Sequence, residues 1–169
     1  MRIIELDRNT LTGQELTLDF DSYAVWEAAF SEEDGVTRVE ISRRKTLRQH
    51  FEYNAPVFAC RDSRVFGLLD ANDLRGLAEV SGAAAGSAAR LDTLCVFEGY
   101  RRRGYGTLLL AKVKETLKRE GCCSAVLGVP ACNSGAVDFF RRSGFTVTGF
   151  DPGAGPARSG SVRMSCALR

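Results

Sequence analysis

The sequence predicts an α/β fold in a single domain that spans residues 1–169. The first half of the chain is rich in aromatic and β-branched segments separated by turn signals, which is typical of strands. An amphipathic helical pattern follows Gly104, and strand and helix patterns alternate from there to the C-terminus. A chain of 169 residues with 44% hydrophobic content can bury one core, so we expect no second domain.

The first strands form a predicted hairpin. Residues 23–30 and 36–41 carry many aromatic and β-branched side chains, and Glu33-Asp34-Gly35 between them is a hairpin turn signal. Residues 44–53 are polar with scattered apolar positions, so the sequence predicts either a short helix or a loop there.

A second strand pair is predicted at residues 56–61 and 64–70, with a bend at Asp62-Ser63. Residues 81–89 are nearly all Ser, Gly and Ala, so they can bury little apolar surface. We expect a surface loop there.

The pattern changes in the second half of the chain. Residues 90–96 alternate as a strand, and residues 97–103 form a loop. Leu110, Val113 and Leu117 then fall on one face of a predicted helix. The remaining predicted elements are a strand at 124–129, a helix at 134–142, and strands at 145–150 and 162–168.

The composition excludes several classes of protein. The net charge is only +2, unlike that of a general nucleic-acid binder, and no uninterrupted apolar stretch approaches the roughly 20 residues that cross a bilayer. We therefore expect a cytoplasmic protein with no nucleic-acid or membrane partner. The six cysteines form no C-x-x-C pair, and His50 is the one histidine, so we expect most of the cysteines to be buried thiols and no metal site to be present.

The stretch YRRRGYGTLLL, residues 100–110, predicts an anion-binding site. Glycines just before a helix let the backbone turn sharply and expose its N–H groups, and the helix N-terminus adds about half a positive charge. The spacing fits neither a P-loop, G-x-x-x-x-G-K-[ST], nor a dinucleotide fingerprint, which needs glycine where Leu109 stands. It does fit R-x-x-G-x-G, from Arg101 to Gly106, so we expect a phosphate or diphosphate ligand.

Residues 101–106 resemble the acetyl-CoA-binding motif of the GNAT family of N-acetyltransferases, and NSGAVDFFRRSGF, from Asn133 to Phe145, resembles that family's second signature. The resemblance covers residues 90–150 firmly. It implies a mixed α+β sheet, mostly antiparallel, with a splayed parallel pair of strands and flanking helices. The segment from 21 to 53 more loosely resembles the N-terminal region of streptothricin-type acetyltransferases.

The resemblance implies acetyl-CoA as cofactor and direct attack of an amine on its thioester, with no covalent enzyme intermediate. The pantetheine arm would lie along the end of the 90–96 strand, and the Val96 N–H would polarise the thioester carbonyl. The acceptor would be a small-molecule or peptide amine, and a homodimer is open because family dimers exist. The residues implied to bind the cofactor are Leu94, Cys95, Val96, Arg101, Arg102, Arg103, Gly104, Tyr105, Gly106, Thr107, Asn133 and Phe140.

Asp92 is the first candidate for the group that accepts the proton of the attacking amine. It lies on the same predicted strand face as Leu94 and Val96, where many family members carry an acidic residue. An alkylammonium group has a pKa of about 10, so it must lose a proton before it attacks. Glu98 in the following loop is the second candidate and His50 the third; the alternative for Asp92 is an exposed strand residue without a catalytic role.

Phe140 departs from the family pattern. Many relatives carry a tyrosine there that protonates the departing thiolate, and phenylalanine has no proton to give. Three outcomes stay open: water takes the role, a hydroxyl such as that of Ser134 or Tyr105 takes it, or the protein binds acyl-CoA and turns over slowly. The alternative to an enzyme is thus a non-catalytic acyl-CoA-binding module. Asn133 also has a structural role available to it, as a helix N-cap.

Overall fold

The computed structural model describes residues 1–7, 11, 15–58, 60–154 and 158–168. Its elements are β1 (Arg2–Leu6), β2 (Glu15–Glu33), β3 (Val36–Pro56), β4 (Arg64–Asp70), β5 (Asp73–Ser81), β6 (Ala88–Val96), α1 (Tyr105–Arg119), β7 (Ser124–Pro130), α2 (Ser134–Arg142), β8 (Thr146–Asp151) and β9 (Ser161–Ala167). Seven strands form one sheet in the order β1-β4-β5-β6-β7-β9-β8, and β2 pairs with β3 in a separate ribbon. The predicted α/β fold with a mixed sheet is confirmed.

The chain divides into two compact units, each made of separated segments. Unit 1 contains residues 1–18, 54–127 and 166–169, and unit 2 contains residues 19–53 and 128–165. A single domain over residues 1–169 stays a prediction.

The core of unit 1 lies on the two faces of an antiparallel meander. β4 pairs with both β1 and β5, and β5 pairs with β6. On one face Val65 and Leu77 pack with Val57 and Phe58 in a buried cluster. On the other face α1 packs against β4, β5 and β6, as the apolar stripe of the helix predicts. The buried residues of that stripe include Leu109, Leu110, Val113 and Leu117.

β6 and β7 are parallel and pair over a short distance. The paired positions run from Ala88↔Ser124 to Arg90↔Val126. β6 continues to Val96 with β5 as its neighbour, so the edge of its last six residues that faces away from β5 has no recorded strand partner in the described part of the chain. This confirms the predicted splayed pair of parallel strands.

The ribbon of β2 and β3 turns at Asp34 and Gly35, whose φ angles are 52° and 74°. Two consecutive left-handed residues are typical of a type I′ hairpin turn, so the predicted hairpin is confirmed. Acidic residues on β2 pair with basic residues on β3 at three levels of unit 2. The pairs are Asp21 with Arg48, Glu27 with Arg44, and Glu33 with Arg38.

Three predictions for the first half are wrong. Residues 44–53 belong to β3; much of this ribbon is exposed, so the sequence shows no apolar period. The predicted strand 56–61 is replaced by a turn in which Phe58 has a φ of 56°, and Ala59 lies outside the described residues. β4 pairs instead with β5 and with β1, and the sequence analysis predicted neither of these strands. From residue 88 onward each predicted element is confirmed within two residues.

Candidate active site

The loop between β6 and α1 is shaped by left-handed residues. Gly99 and Gly104 have φ angles of 77° and 82°, and the exposed Arg102 has a φ of 65°. Glycine adopts this conformation at low cost, whereas for arginine it costs about 1 kcal/mol. Gly104 is the N-cap of α1 and supplies no side-chain hydrogen bond to the helix.

The first turn of α1 therefore presents free backbone donors. The N–H of Leu108 donates to the carbonyl of Gly104 at 3.1 Å, which begins the helical ladder. The N–H groups of Tyr105, Gly106 and Thr107 precede that bond and point out of the helix end. The first turn carries no acidic residue, so the positive end of the helix dipole is not neutralised there. This geometry suits an anion.

Arg101 and Arg103 of the loop both make contacts within unit 1. Arg101 is half-buried, and its Nε donates to the carbonyl of Val96 at 2.9 Å, so its side chain ties the loop to the end of β6. The guanidinium of Arg103 lies over the Tyr100 ring at 5.7 Å, and that of Arg75 lies over the same ring at 4.5 Å. Such cation–π contacts restrain the loop.

The end of β6 exposes backbone amides along one edge. The N–H of Phe97 donates to the carbonyl of Arg75 at 2.9 Å, on the β5 side. Because hydrogen-bonding direction alternates along an antiparallel strand, the N–H groups of Leu94 and Val96 point away from β5. Burial raises the pKa of the Cys95 thiol to about 11, so that thiol is neutral near pH 7.

Asp92 is the extra residue of a β-bulge. Glu79 lies opposite Thr93, but the next residue, Val80, lies opposite Leu91, so Asp92 has no partner across the pair. Bulges re-aim side chains and are frequent beside active sites. The direction of the Asp92 side chain therefore could not be predicted from the alternation of side chains along a regular strand.

The Asp92 carboxylate is largely enclosed. Its side chain is 15% exposed, and Oδ1 lies 3.0 Å from Nε of Arg90. Oδ2 is buried and accepts no hydrogen bond from any described residue. Glu98 lies on an exposed turn after β6. Of the two predicted acids, the structure places only Asp92 in a partly buried position.

In unit 2 the second signature begins with a capped helix. The Asn133 side-chain oxygen accepts from the N–H of Ala136 at 3.0 Å, which confirms its structural role as N-cap of α2. Phe140 is 8% exposed and packs edge-on against Phe139 and Phe145, at ring distances of 5.2 and 5.4 Å. Phe140 is thus a core residue of unit 2.

The hydroxyl of Ser134 is hydrogen-bonded to the hydroxyl of Ser22. Ser22 Oγ donates to the carbonyl of Ala24 at 2.7 Å and lies 3.1 Å from Ser134 Oγ. Since Ser22 has one proton and directs it to Ala24, Ser134 must donate its own proton to Ser22. Both serines are buried. Ser134 is therefore a poor candidate for a proton donor, and Tyr105 remains half-buried at the start of α1.

Unit 2 contains a cavity of about 990 Å³ between the ribbon and residues 132 and 159. Glu27 lines it and accepts hydrogen bonds on Oε1 from Nε and Nη2 of Arg44, at 2.8 and 2.6 Å. These bonds hold the pKa of Glu27 below its usual range, so the carboxylate stays ionised near neutral pH. Thr46 also lines the cavity, and its buried hydroxyl has no recorded partner among the described residues.

The expectation that most of the cysteines are buried is wrong: of the six, only Cys122 and Cys132 are buried, because the others lie on exposed loops or on partly exposed strands. Cysteine chemistry is not supported by this site. Burial raises the pKa of the Cys132 thiol, which accepts a hydrogen bond from Ser159 at 3.3 Å. His50 lines the same cavity, but its Nδ1 lies 3.2 Å from Oδ1 of Asp21. The described residues contain no group of three or more potential metal ligands, and no helix among them is long and apolar enough to span a bilayer.

Residues 20–145 match the model of the acetyltransferase (GNAT) family. The chain belongs to the GNAT acetyltransferase family. A streptothricin acetyltransferase of Streptomyces lavendulae is 32% identical over 91 residues, which is 53% of this chain and 48% of that protein. The match thus spans about half the length of this curated relative.

Solved structures share the fold over nearly the whole chain. A nourseothricin acetyltransferase is 22% identical with a TM-score of 0.74, over 99% of this chain and 98% of its own. A Bacillus anthracis protein assigned as a streptothricin acetyltransferase, solved in complex with acetyl coenzyme A, is 20% identical with a TM-score of 0.75, over 99% of each chain. These likenesses establish the GNAT fold for this chain.

Sequence reasoning did not single out Glu79, a buried carboxyl group next to the bulge. Glu79 is 1% exposed, lies opposite Thr93 beside the bulge, and has a buried oxygen without a recorded partner among the described residues. The available signal was a single carboxyl group in the apolar run Leu77-Ala78-Glu79-Val80.

Proposed function

We propose that this chain is an acetyl-CoA-dependent N-acetyltransferase that moves an acetyl group to a primary amine in a ternary complex. The observation that carries the proposal is the uncapped N-terminus of α1, which follows the R-x-x-G-x-G loop in a GNAT family member. Free amides, a helix dipole and the absence of a first-turn acid together fit a diphosphate. The exposed edge of β6 fits the amides of a pantetheine arm.

Different residues of unit 1 would bind different parts of acetyl-CoA. The amides of Tyr105, Gly106 and Thr107 would hold the diphosphate, and Leu94 and Val96 would pair with the pantetheine arm. The Val96 carbonyl already accepts from Arg101, which leaves its N–H as the donor toward the thioester carbonyl. One positioned donor of this kind contributes about 3 kcal/mol to the lowering of a barrier. Acetyl-CoA supplies the activated acetyl group.

Asp92 would accept the proton that the ammonium group loses before attack, because it is the enclosed acid on the free part of β6. Phe140 offers no proton to the departing thiolate, and the Ser134 proton is directed to Ser22. We infer that solvent water protonates the thiolate, with the hydroxyl of the half-buried Tyr105 as the alternative donor. In unit 2, only the side-chain oxygen of Asn133 is used in capping. Its role in binding the cofactor stays a prediction.

A second candidate function is a non-catalytic acyl-CoA-binding module, favoured by the packed phenyl ring of Phe140 where the family's tyrosine would stand. One experiment separates the two. We expect CoA release, followed with a thiol reagent, to exceed the acetyl-CoA-only rate at least tenfold with a suitable amine, and mass spectrometry to find the product heavier by one acetyl group. Tight acetyl-CoA binding in calorimetry without amine-dependent release across a broad panel would support the module instead.

For the acceptor, we propose a polycationic amine of the streptothricin class. The Streptomyces lavendulae relative bears that activity in its name, and Glu27 offers an ionised carboxylate in the cavity of unit 2. Arg44 occupies that carboxylate in the same way that a substrate cation would. A cytoplasmic location and a homodimer stay predictions.

Two substitutions test this acceptor site. Glu27→Gln removes the carboxylate, so we expect the KM for streptothricin to rise about tenfold while the KM for acetyl-CoA stays constant. Arg44→Gln removes the competing cation, so the streptothricin KM should fall. Glu33→Gln is the matched control, because Glu33 pairs with Arg38 at 3.7 Å near the turn of the same ribbon and does not line the cavity. Equal KM values in Glu27→Gln and Glu33→Gln would contradict the proposal.

A further inference from the structure

Glu79 is a carboxyl group enclosed in unit 1. It is 1% exposed, and its Oε1 accepts no hydrogen bond from any residue in the described part of the chain. Val65 on β4 and Thr93 on β6 lie opposite it, and Leu77 on the same face belongs to the buried apolar cluster. A buried carboxyl oxygen without a donor is costly, since it has lost water and gained nothing in return.

Stability gives no reason for a glutamate at this position. An apolar side chain of similar volume in place of a buried, poorly satisfied charge is commonly neutral or stabilising. Native proteins keep few such groups, and those that persist concentrate at functional sites. The position of Glu79 agrees with a functional role, because Thr93 opposite it lies between Asp92 and Leu94, at the bulge of β6.

The charges at the bulge explain what a second carboxyl group adds. Arg90 lies 3.0 Å from Asp92, so that pair alone is close to neutral and attracts a cation weakly. Asp92 Oδ2, like Glu79 Oε1, is a buried acceptor that receives no hydrogen bond from the described residues. Ionised Glu79 would leave the group of three with one net negative charge. What both oxygens lack is a donor, and a cationic donor stabilises them most.

We propose that Glu79 is a positioning residue for the amine acceptor: its charge offsets that of Arg90, so that Asp92 can hold the substrate ammonium group at the β6 bulge. The inference rests on the proposed N-acetyltransferase function. In the step it serves, an N–H bond of the ammonium breaks and an O–H bond forms on Asp92. The nitrogen lone pair then forms the C–N bond to the acetyl carbon while the C–S bond breaks. The second amine proton leaves through solvent to the CoA thiolate, and Asp92 returns its proton to water.

The test compares four full-length variants, with acetyl-CoA as donor and streptothricin as acceptor. Glu79→Gln keeps the shape without the charge, and kcat/KM for the acceptor should fall about tenfold or more with the KM for acetyl-CoA unchanged. Glu79→Asp keeps the charge and should retain more activity than Glu79→Gln. Glu79→Met removes the buried polar group, so its Tm should rise by about 2–4 °C while its activity is the lowest. Leu77→Met, on the same face of β5, controls for a general effect of core substitution.

The combination of highest stability with lowest activity is the signature that a purely structural role cannot give. Wild-type kcat/KM in Glu79→Gln, measured beside an active wild type, overturns this inference and leaves the proposed function standing. Activity that follows Tm across the variants overturns it as well. A wild type that releases no CoA with streptothricin or with any amine of the panel overturns the proposed function, and this inference with it.

Discussion

Gly106→Glu should abolish acetyl-CoA binding without unfolding the protein. Gly106 is the second residue of α1, where free N–H groups meet at the positive end of the helix. A glutamate in the first turn of a helix is favourable for folding, because it interacts with the dipole and accepts from those N–H groups. For the same reasons it would occupy the donors that a diphosphate needs and would repel its charge. We expect calorimetry to show at least about a 100-fold loss of acetyl-CoA affinity, or roughly 2.7 kcal/mol, with Tm unchanged or higher.

Gly106→Gln is the matched control for charge. It has the same size and can still accept from the helix end, but it brings no negative charge. We expect it to lose much less acetyl-CoA affinity than Gly106→Glu. If both variants bind acetyl-CoA as the wild type does, the diphosphate does not lie at this helix end. If both lose affinity equally, bulk rather than charge is responsible.

The second half of the fold was predictable because each element there has one buried face. The α1 stripe and the α2 pattern follow the helical period, and β6 alternates before a loop marked by glycines. The ribbon of β2 and β3 was not predictable to the same extent, since much of β3 is exposed and its sequence shows no regular spacing of apolar residues. β5 was missed because Arg75, Gly76 and Glu79 interrupt its apolar residues. A glycine needed for close approach of a neighbouring backbone, or a buried carboxyl group, resembles a loop residue when only the sequence is seen.

The candidate site divides in the same way. Glycine spacing predicts the anion-binding loop before α1, because a positive φ is a local property of the backbone. The tie from Arg101 to Val96 depends on how the loop folds back, and the contact of Ser22 with Ser134 joins residues 112 apart. The bulge at Asp92 follows from strand register, which needs both strands. Local backbone geometry could be predicted from the sequence. The hydrogen-bond partners and the directions of the hydrogen bonds could be assigned only once the fold was known.

Gly76→Ala should destabilise the protein strongly, and the strain should fall beside the proposed cofactor-binding edge of β6. A Cβ on Gly76 would lie 2.7 Å from the carbonyl oxygen of Cys95, 3.2 Å from Cα of Val96 and 3.4 Å from Cδ1 of Leu109. The first two neighbours are backbone atoms of β6, so no side-chain rotation relieves the contact, and β5 and β6 must separate. We expect the free energy of unfolding to fall by about 3 kcal/mol and Tm by roughly 10 °C.

Gly135→Ala is the matched control, and we expect it to leave the stability of the protein unchanged or to raise it. Gly135 lies in the first turn of α2, where an added Cβ has only Asn133 Oδ1 within 4 Å, at 3.9 Å. Alanine is favoured over glycine in a helix by up to about 1 kcal/mol, so Tm should stay constant or rise. Thermal unfolding followed by circular dichroism measures both variants. Because the strain of Gly76→Ala falls on the backbone between Cys95 and Val96, the folded variant should also show a raised KM for acetyl-CoA at temperatures well below its Tm. A Gly76→Ala protein with the Tm and acetyl-CoA KM of the wild type would mean that β6 yields without cost, and that the Val96 amide does not need its present position.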